Sequence, residues 1–217
     1  MILVSSKKGK NYQKPLDNNR MFGHYSLMRV KDENKKEAIF EATISLLNEI
    51  GFANLSMSEI AKKAGVSSST LYVYFENKED MLKKVYLDVK GKISIALSRN
   101  INQPAPVRQL IEQIIHNILD FAVQQTPYFL FAEQFSNDPL LDDSCRAEVL
   151  DMMKHIRNVA ERGQEEGILK KGDPIQLLAF CYYGTTQLAK DKLKRNQTFS
   201  KSETEDLIQM CWDAVKA

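Results

Sequence analysis

The sequence predicts an all-α protein, with an N-terminal three-helix helix-turn-helix domain followed by a longer C-terminal helical domain. Two observations lead to this fold class. Apolar residues recur every three or four positions through most of the chain after residue 33, which is the period of helices that pack through one face. No segment shows the alternating apolar and polar pattern of a half-buried strand.

Bulk composition limits the class of protein. A chain of 217 residues, 43% of them apolar, is enough for one or two small domains. No apolar run approaches the ~20 residues of a membrane span, and residues 1–4 are too short an apolar segment for a secretory signal. The cysteines are widely separated and odd in number, which predicts reduced thiols in a cytoplasmic protein and no zinc site. They are Cys145, Cys181 and Cys211.

Charge is unevenly distributed along the chain. Residues 1–100 hold 17 Lys/Arg against 11 Asp/Glu, a balance of +6, whereas residues 101–217 hold 13 against 17, a balance of −4. Contacts with phosphate groups are therefore expected in the N-terminal half. Residues 31–80 alone carry 6 basic and 9 acidic residues, so local contacts rather than a broad basic face must position a nucleic acid.

Residues 1–30 show neither a helical nor a strand period, and they hold six basic residues against one acidic residue. A flexible basic arm of this kind can lie along a minor groove or a phosphate backbone. We favour a second interpretation, in which this segment is disordered or is an over-long start of the chain. Met21 or Met28 is then the natural first residue.

Residues 56–78 predict two short helices joined by a tight turn. Ser56 and Glu59 have the spacing of a capping box, which begins the first of the two helices. Gly65 can adopt the left-handed backbone that ends this helix. One of the two serines at positions 67 and 68 then caps the second helix.

The apolar positions of this segment fit a helix-turn-helix. The pattern requires a small residue where the helices cross, which is Ala61, and apolar residues in the shared core. The core positions are Ile60, Ala64, Val66, Leu71 and Tyr74. Such a unit places its second helix in the major groove of double-stranded DNA. Four residues of that helix point away from the predicted core: Ser68, Ser69, Tyr72 and Val73. The alternative is a helical hairpin in an unrelated bundle.

The run from Thr70 to Lys78 (TLYVYFENK) follows an amphipathic helix over about Glu33–Ile50 and the pair Gly51-Phe52. Together these residues resemble the DNA-binding domain of TetR-family transcriptional regulators. The resemblance covers about residues 33–80, and beyond them only the helical architecture is similar. It implies a homodimeric regulator, in most cases a repressor that a small-molecule inducer releases from palindromic DNA.

The resemblance also implies DNA contacts on and around the second helix of the motif. They are expected at Ser56, Ser67, Ser68, Ser69, Thr70, Tyr72, Tyr74 and Lys78. Tyr72 is the strongest candidate for a backbone or thymine-methyl contact, and the hydroxyl of Tyr74 is expected to face phosphate. Lys78 resembles the phosphate-binding lysine of the family. No Arg, Gln or Asn lies on the exposed face, so DNA shape and phosphate positioning should carry much of the specificity.

A long helix is expected from Lys78 to about Asn100, linking the two domains, and the segment Asn102–Pro106 is the clearest break in the chain. We therefore expect the DNA-binding domain at residues 31–80 and the C-terminal domain at residues 81–217. Four or five further helices are predicted there. Their ranges are Val107–Gln125, Tyr128–Phe135, Asp142 to about Glu166, Pro174–Leu193 and Glu203–Val215.

No arrangement of residues in the C-terminal half predicts catalysis. Glu112 and His116 are four positions apart, whereas a di-iron bundle needs Glu and His three apart, in pairs. Neither a Ser-His-Asp order nor a glycine-rich phosphate loop is present. We expect no enzyme activity, no cofactor and no metal. A small helical enzyme and a ligand-independent architectural DNA-binding protein are the alternatives.

Aromatic and methionine residues are dense in the C-terminal half, and they either line an apolar cavity or simply fill the core. The resemblance favours a cavity for a small apolar or aromatic inducer. Its expected lining is Phe121, Tyr128, Phe131, Phe135, Met152, Ile156 and Tyr182. The last two helices, at about residues 174–193 and 203–215, can form half of a four-helix bundle with a second copy of the chain, unless they pack entirely within one subunit.

Overall fold

In a computed structural model of the chain, the backbone is described for residues 18–217 except residue 103, and side chains for residues 32–217 except residues 53 and 103. This part of the chain contains no strand, apart from one isolated bridge between Leu169 and Lys216. The all-α class is confirmed. The helices are α1 (Asn18–Ile50), α2 (Met57–Ala64), α3 (Ser68–Tyr74), α4 (Lys78–Leu97), α5 (Val107–Gln124), α6 (Thr126–Phe135), α7 (Asp143–Met152), α8 (Lys154–Glu165), α9 (Pro174–Lys194) and α10 (Lys201–Val215). None of the described helices is long and apolar enough to cross a membrane.

The first three helices form the predicted helix-turn-helix domain. α1 buries residues spaced by one helical turn, and α2 packs against both α1 and α3. The core that they share includes Ile39, Phe40, Ile44, Leu47, Ile60, Leu71 and Phe75. A short 3-10 turn, Phe52–Asn54, joins α1 to α2.

α1 begins earlier than predicted. Its first residue is Asn18 rather than about Glu33, so residues 18–30 of the predicted arm are helical. The reason for the error is that these residues carry no apolar period, which was the signal used to find helices. The rest of the predicted arm, residues 1–17, lies outside the described residues.

α4 belongs to both halves of the molecule. Asn77 begins it by accepting a hydrogen bond from the backbone N–H of Asp80 at 2.8 Å. The helix then contacts α1 on the N-terminal side and α5, α6 and α7 on the C-terminal side. It ends at Leu97, slightly before the predicted Asn100.

α5 lies at the centre of the C-terminal half and contacts α4, α6, α8, α9 and α10. The single helix predicted over Asp142–Glu166 is in fact two helices, α7 and α8, with a break at Met153. The hydroxyl of Ser94, on α4, donates to the backbone carbonyl of Met152 at 2.6 Å and so satisfies the end of α7. This tertiary contact has no local sequence signal.

Candidate DNA-binding surface and ligand cavity

Side-chain caps and a glycine hold the turn of the helix-turn-helix. Ser56 accepts a hydrogen bond from the backbone N–H of Glu59 at 3.2 Å, and the Glu59 carboxylate accepts one from the backbone N–H of Ser56 at 3.1 Å. This is the predicted capping box. Gly65 ends α2 with φ 67° and ψ 30°, in the left-handed region that strongly favours glycine.

α3 has one buried face and one exposed face. Leu71 is fully buried, while Tyr72 is 59% exposed and Val73 is 80% exposed. Ser68 and Ser69 are also exposed, so all four residues predicted to point away from the core do so. A helix of seven residues with two large apolar side chains in solvent presents a contact surface rather than a packed face.

A cluster of hydroxyl groups marks the start of α3. The Ser67 hydroxyl caps the helix by accepting from the backbone N–H of Thr70 at 3.2 Å. The same oxygen lies 2.8 Å from the hydroxyl oxygens of both Ser69 and Thr70. These contacts fix the orientation of three predicted DNA contacts relative to one another, since each hydroxyl is held by at least one neighbour.

A cavity of about 210 Å³ lies between α4, α5, α7, α8 and α9. Its walls are mainly aliphatic, and they include Ile111, Ile115, Ile118, Val149, Ile156 and Leu178. Two predicted ligand contacts, Ile156 and Tyr182, are among the lining residues. An apolar enclosure with few polar groups is the usual character of a small-molecule site.

One buried cation lines this cavity. Lys90, on α4, is 7% exposed, and its ammonium lies 5.5 Å from the ring centroid of Tyr86 and 5.8 Å from that of Tyr182. It forms no hydrogen bond or ion pair with any residue that the structure describes. Burial lowers the pKa of Lys90, because desolvation disfavours the charged form, and the carboxylate of Glu133 opposes this effect only in part.

Two family models match consecutive parts of the chain. The model of bacterial regulatory proteins of the tetR family matches residues 39–85, and that of the tetracyclin repressor-like C-terminal domain matches residues 86–217. The second match alone spans more than half of the 217 residues. The chain belongs to the TetR family.

Individual TetR relatives match over most of their length. An HTH-type transcriptional regulator from Haemophilus influenzae is 26% identical over 195 residues, which cover 87% of this chain and all of the relative. A TetR family regulator from Marinobacter aquaeolei VT8 has a TM-score of 0.80 at 24% identity, covering 87% of this chain and 98% of that structure. The regulator FadR from Bacillus subtilis, solved with stearoyl-CoA, has a TM-score of 0.67 at 18% identity, with 82% and 98% covered. The chain is therefore a DNA-binding transcriptional regulator and not an enzyme.

Two further predicted DNA contacts in this TetR domain, Tyr74 and Lys78, form hydrogen bonds with partners outside their own helices. The Tyr74 hydroxyl, expected to face phosphate, donates instead to the Asp32 carboxylate at 2.7 Å, and this hydrogen bond raises the pKa of Tyr74. It therefore holds α3 against α1. The Lys78 ammonium donates to the Phe52 carbonyl at 3.1 Å and lies 4.5 Å from the Phe52 ring centroid, leaving two of its three donors for phosphate.

Sequence reasoning did not single out Lys62 as a DNA contact. This residue is exposed in the last turn of α2 and has no hydrogen bond or ion pair with the described residues, whereas the neighbouring Lys63 pairs with Glu49 at 2.6 Å. A free cation beside the motif is available to a phosphate group. Its position on the polar face of α2 was the signal that could have identified it.

Five of the seven predicted ligand contacts lie away from the apolar cavity. Phe131 and Phe135 stack on each other at 5.5 Å, and the Phe135 ring contacts those of Phe52 and Tyr86 at 6.3 and 5.7 Å. They pack the C-terminal half against the DNA-binding domain. Phe121 and Tyr128 line a separate, polar cleft of about 450 Å³, because α5 turns its apolar isoleucine face to one cavity and its polar face to the other. Met152 does not line the apolar cavity, whereas the adjacent Met153 does.

α9 presents an exposed apolar face opposite the one that packs on α5. Cys181, Thr185 and Ala189 are buried. Large side chains on the other faces of α9 and on α10 are exposed in the single chain, among them Phe180 (75%), Tyr183 (64%), Leu188 (43%) and Met210 (58%). These residues lie within the segments in which we predicted the dimer interface.

Proposed function

We propose that this TetR-family regulator is a repressor, that it binds a palindromic operator as a homodimer, and that a small apolar ligand in the cavity releases it. The exposed face of α3 is the observation that carries the DNA-binding part of the proposal. Tyr72 and Val73 offer apolar surface to thymine methyl groups, and the hydroxyls of Ser68 and Ser69 offer hydrogen bonds to bases or phosphates.

Four further predicted contacts surround this face, whereas Tyr74 is bonded to Asp32. Ser67 and Thr70 lie in the hydroxyl cluster at the start of α3, Ser56 lies at the start of α2, and Lys78 begins α4. We assign them to phosphate contacts, which orient the domain on DNA without reading sequence. Lys62 joins this group as a positively charged side chain without a hydrogen-bond or ion-pair partner among the described residues.

The exposed apolar face of α9 and α10 supports a two-fold dimer. Phe180, Tyr183, Leu188 and Met210 are more exposed than large apolar residues usually are, and a second copy of the chain would cover them. A two-fold dimer presents two α3 helices to successive major grooves about 34 Å apart, which matches the symmetry of a palindromic operator.

Contacts between rings connect the cavity to the DNA-binding domain. The Lys90 ammonium faces Tyr86, Tyr86 contacts Phe135 at 5.7 Å, and Phe135 contacts Phe52 at 6.3 Å. Lys78, the first residue of α4, holds Phe52 through its carbonyl and its ring. A ligand that moves Tyr86 therefore acts on the N-terminal end of α4 and on the loop between α1 and α2. It releases DNA only if it binds the non-matching arrangement more tightly.

The test of DNA recognition is binding to the DNA upstream of the gene, measured by mobility shift with competitor DNA at ~0.15 M salt. The account predicts a competitor-resistant band. Val73→Ala should weaken binding at least several-fold, whereas Val123→Ala, a matched change at another exposed valine, should not. Tyr72→Phe removes only the hydroxyl and Tyr72→Ala removes the ring as well, so the two variants separate the contributions of these groups to DNA binding. A band that competitor removes would indicate only sequence-independent phosphate binding and would favour an architectural role.

The test of release is the coupling between ligand and DNA. The ligand dissociation constant is measured with and without the operator duplex, and the ratio gives the coupling free energy, typically about 1–3 kcal/mol. Phe135→Leu should reduce this ratio while leaving ligand affinity in the absence of DNA unchanged, because Phe135 touches Phe52 and Tyr86 but not the cavity. An unchanged ratio would mean that these aromatic contacts do not couple ligand binding to DNA binding.

A further inference from the structure

The apolar cavity contains a charged group that its own walls do not neutralise. The ammonium of Lys90 has two ring faces as neighbours, Tyr86 and Tyr182, and no hydrogen-bond acceptor among the described residues. The charge of the Glu133 carboxylate acts on it, but the oxygens of Glu133 are already engaged. One accepts from the Tyr182 hydroxyl at 3.1 Å and the other pairs with Lys190 at 3.2 Å.

Burying an ammonium without a hydrogen-bonded counter-ion is unfavourable, and groups in such unfavourable environments are concentrated at functional sites. Ring faces attract a cation, but they do not accept its N–H groups as a carboxylate oxygen does. The cavity also contains Arg157, whose guanidinium donates to Glu161 at 2.7 Å on the exposed side of α8. Of the two cations that line the cavity, Lys90 is therefore the one without an acidic partner in the part of the chain that the structure describes.

We propose that the effector of this regulator is an amphipathic carboxylate, with an alkyl or arylalkyl chain along the isoleucine face of α5 and its carboxylate on Lys90. This inference rests on the proposed function, in which the cavity is the effector site. A single ammonium matches the single charge of a carboxylate, whereas a doubly charged phosphate would leave one charge unpaired in an apolar enclosure. The effector's head group thus sits against Tyr86, where the contacts toward Phe52 begin.

Cavity size sets a lower limit on the chain. If each heavy atom takes ~30 Å³, the share of one water in the liquid, then about 210 Å³ holds a chain on the order of seven heavy atoms or more. Decanoate is a suitable probe because its chain exceeds this minimum length and it carries one charged head. Decan-1-ol and decylamine have the same chain with a neutral and a cationic head.

The experiment is isothermal titration calorimetry of the full chain with these three probes. Decanoate should bind at least about tenfold more tightly than decan-1-ol, the ratio expected for one charge-assisted hydrogen bond of about 1.4 kcal/mol, and decylamine should bind most weakly. Lys90→Met should abolish the preference for decanoate and leave decan-1-ol binding unchanged. Lys154→Met, the same change at an exposed lysine, should alter neither.

Several outcomes would overturn the inference: equal affinity for acid and alcohol, a preference for the amine, or an unchanged preference in Lys90→Met. Binding of decanoyl-coenzyme A without binding of decanoate would also exclude the free carboxylate. Leu178→Trp, which fills the cavity from α9, should block all three probes, and retained binding there would place the site elsewhere. Decanoate binding that requires Lys90 but fails to displace DNA would support the ligand class and refute release. Displacement of DNA by another compound, without decanoate binding, would support release by a ligand and refute the carboxylate as its class.

Discussion

Replacing Lys90 by methionine should stabilise the protein in the absence of any ligand. The substitution shortens the side chain by one atom and removes the charge from a position that is 7% exposed, where the ammonium has no hydrogen bond among the described residues. Exchanging buried ionic groups for apolar side chains of similar volume is neutral or stabilising by about 1–4 kcal/mol. For a chain of this length, each kcal/mol raises the melting temperature by about 2–4 °C.

The gain should depend on pH in a defined direction. The pKa of Lys90 is lowered in the folded state, so the unfolded state binds more protons between the folded pKa and the unfolded value near 10.4. Wild-type stability from this group therefore rises as pH increases through that window. The advantage of Lys90→Met should be largest near pH 7 and shrink toward pH 10. Tyr86 and Tyr182 stay neutral there, since burial raises the pKa of Tyr86 to about 12 and that of Tyr182 well above its ordinary value.

The assay is urea unfolding at pH 7 and at pH 9–10, with Lys154→Met as the control. Lys154 is exposed, and its nearest acidic partner, Asp151, is 3.8 Å away, so that substitution should change stability by no more than about 0.5 kcal/mol. A Lys90→Met variant less stable than wild type at pH 7 would refute the reasoning, because it would mean that the ammonium has a partner or reaches water. The ligand proposal would lose its physical basis with it.

Three glycine positions give further predictions. Gly65→Ala should destabilise the protein by about 1 kcal/mol in urea unfolding, because φ is +67°; an added Cβ meets nothing within 4 Å, so the cost comes from the backbone alone. Gly65→Asn should cost less, because asparagine tolerates this backbone region. Equal costs for the two variants would contradict a pure backbone effect. Gly163→Ala should lower the free energy of unfolding by about 1–3 kcal/mol through overpacking, since its Cβ would lie 2.6 Å from the Leu169 side chain. An unchanged stability would mean that α8 shifts to make room for the methyl group. Gly184→Glu should convert the proposed dimer to a folded monomer in light scattering, because an added Cβ meets nothing within 4 Å among the described residues; a persistent dimer would place the interface elsewhere.

The helix-turn-helix was predictable from sequence because its signals are local. The capping box of Ser56 and Glu59, the left-handed Gly65 and the buried Leu71 each follow from spacing within a few residues. The same logic placed Tyr72 and Val73 outside, as the structure confirms. The early start of α1 was not predicted because residues 18–30 have no apolar period, and this period was the signal for a helix.

The cavity was less predictable because it depends on how helices meet. Phe131 and Phe135 were expected to line it, but α6 turns them toward Phe52 and Tyr86 at the domain contact. Lys90 did leave a local signal, because it lies four residues after Tyr86 and three before Ile93, on the buried stripe of α4. A lysine on such a stripe means either that the buried face of the helix was assigned wrongly or that the lysine belongs to a binding site. Only the tertiary structure distinguishes the two.

Cleavage of DNA from a reagent attached to α3 shows where this helix lies on the operator and whether two copies of it bind there. The three native cysteines are buried, so Ser69→Cys provides the reactive thiol for an iron-chelate cleavage reagent, and Glu148→Cys on the exposed surface of α7 serves as the control. The account predicts two clusters of cuts, centred about 10 base pairs apart on the upstream fragment and related by two-fold symmetry. Cleavage from Ser69→Cys that is absent, scattered along the fragment, or no different from that of Glu148→Cys would contradict recognition by a dimer through α3.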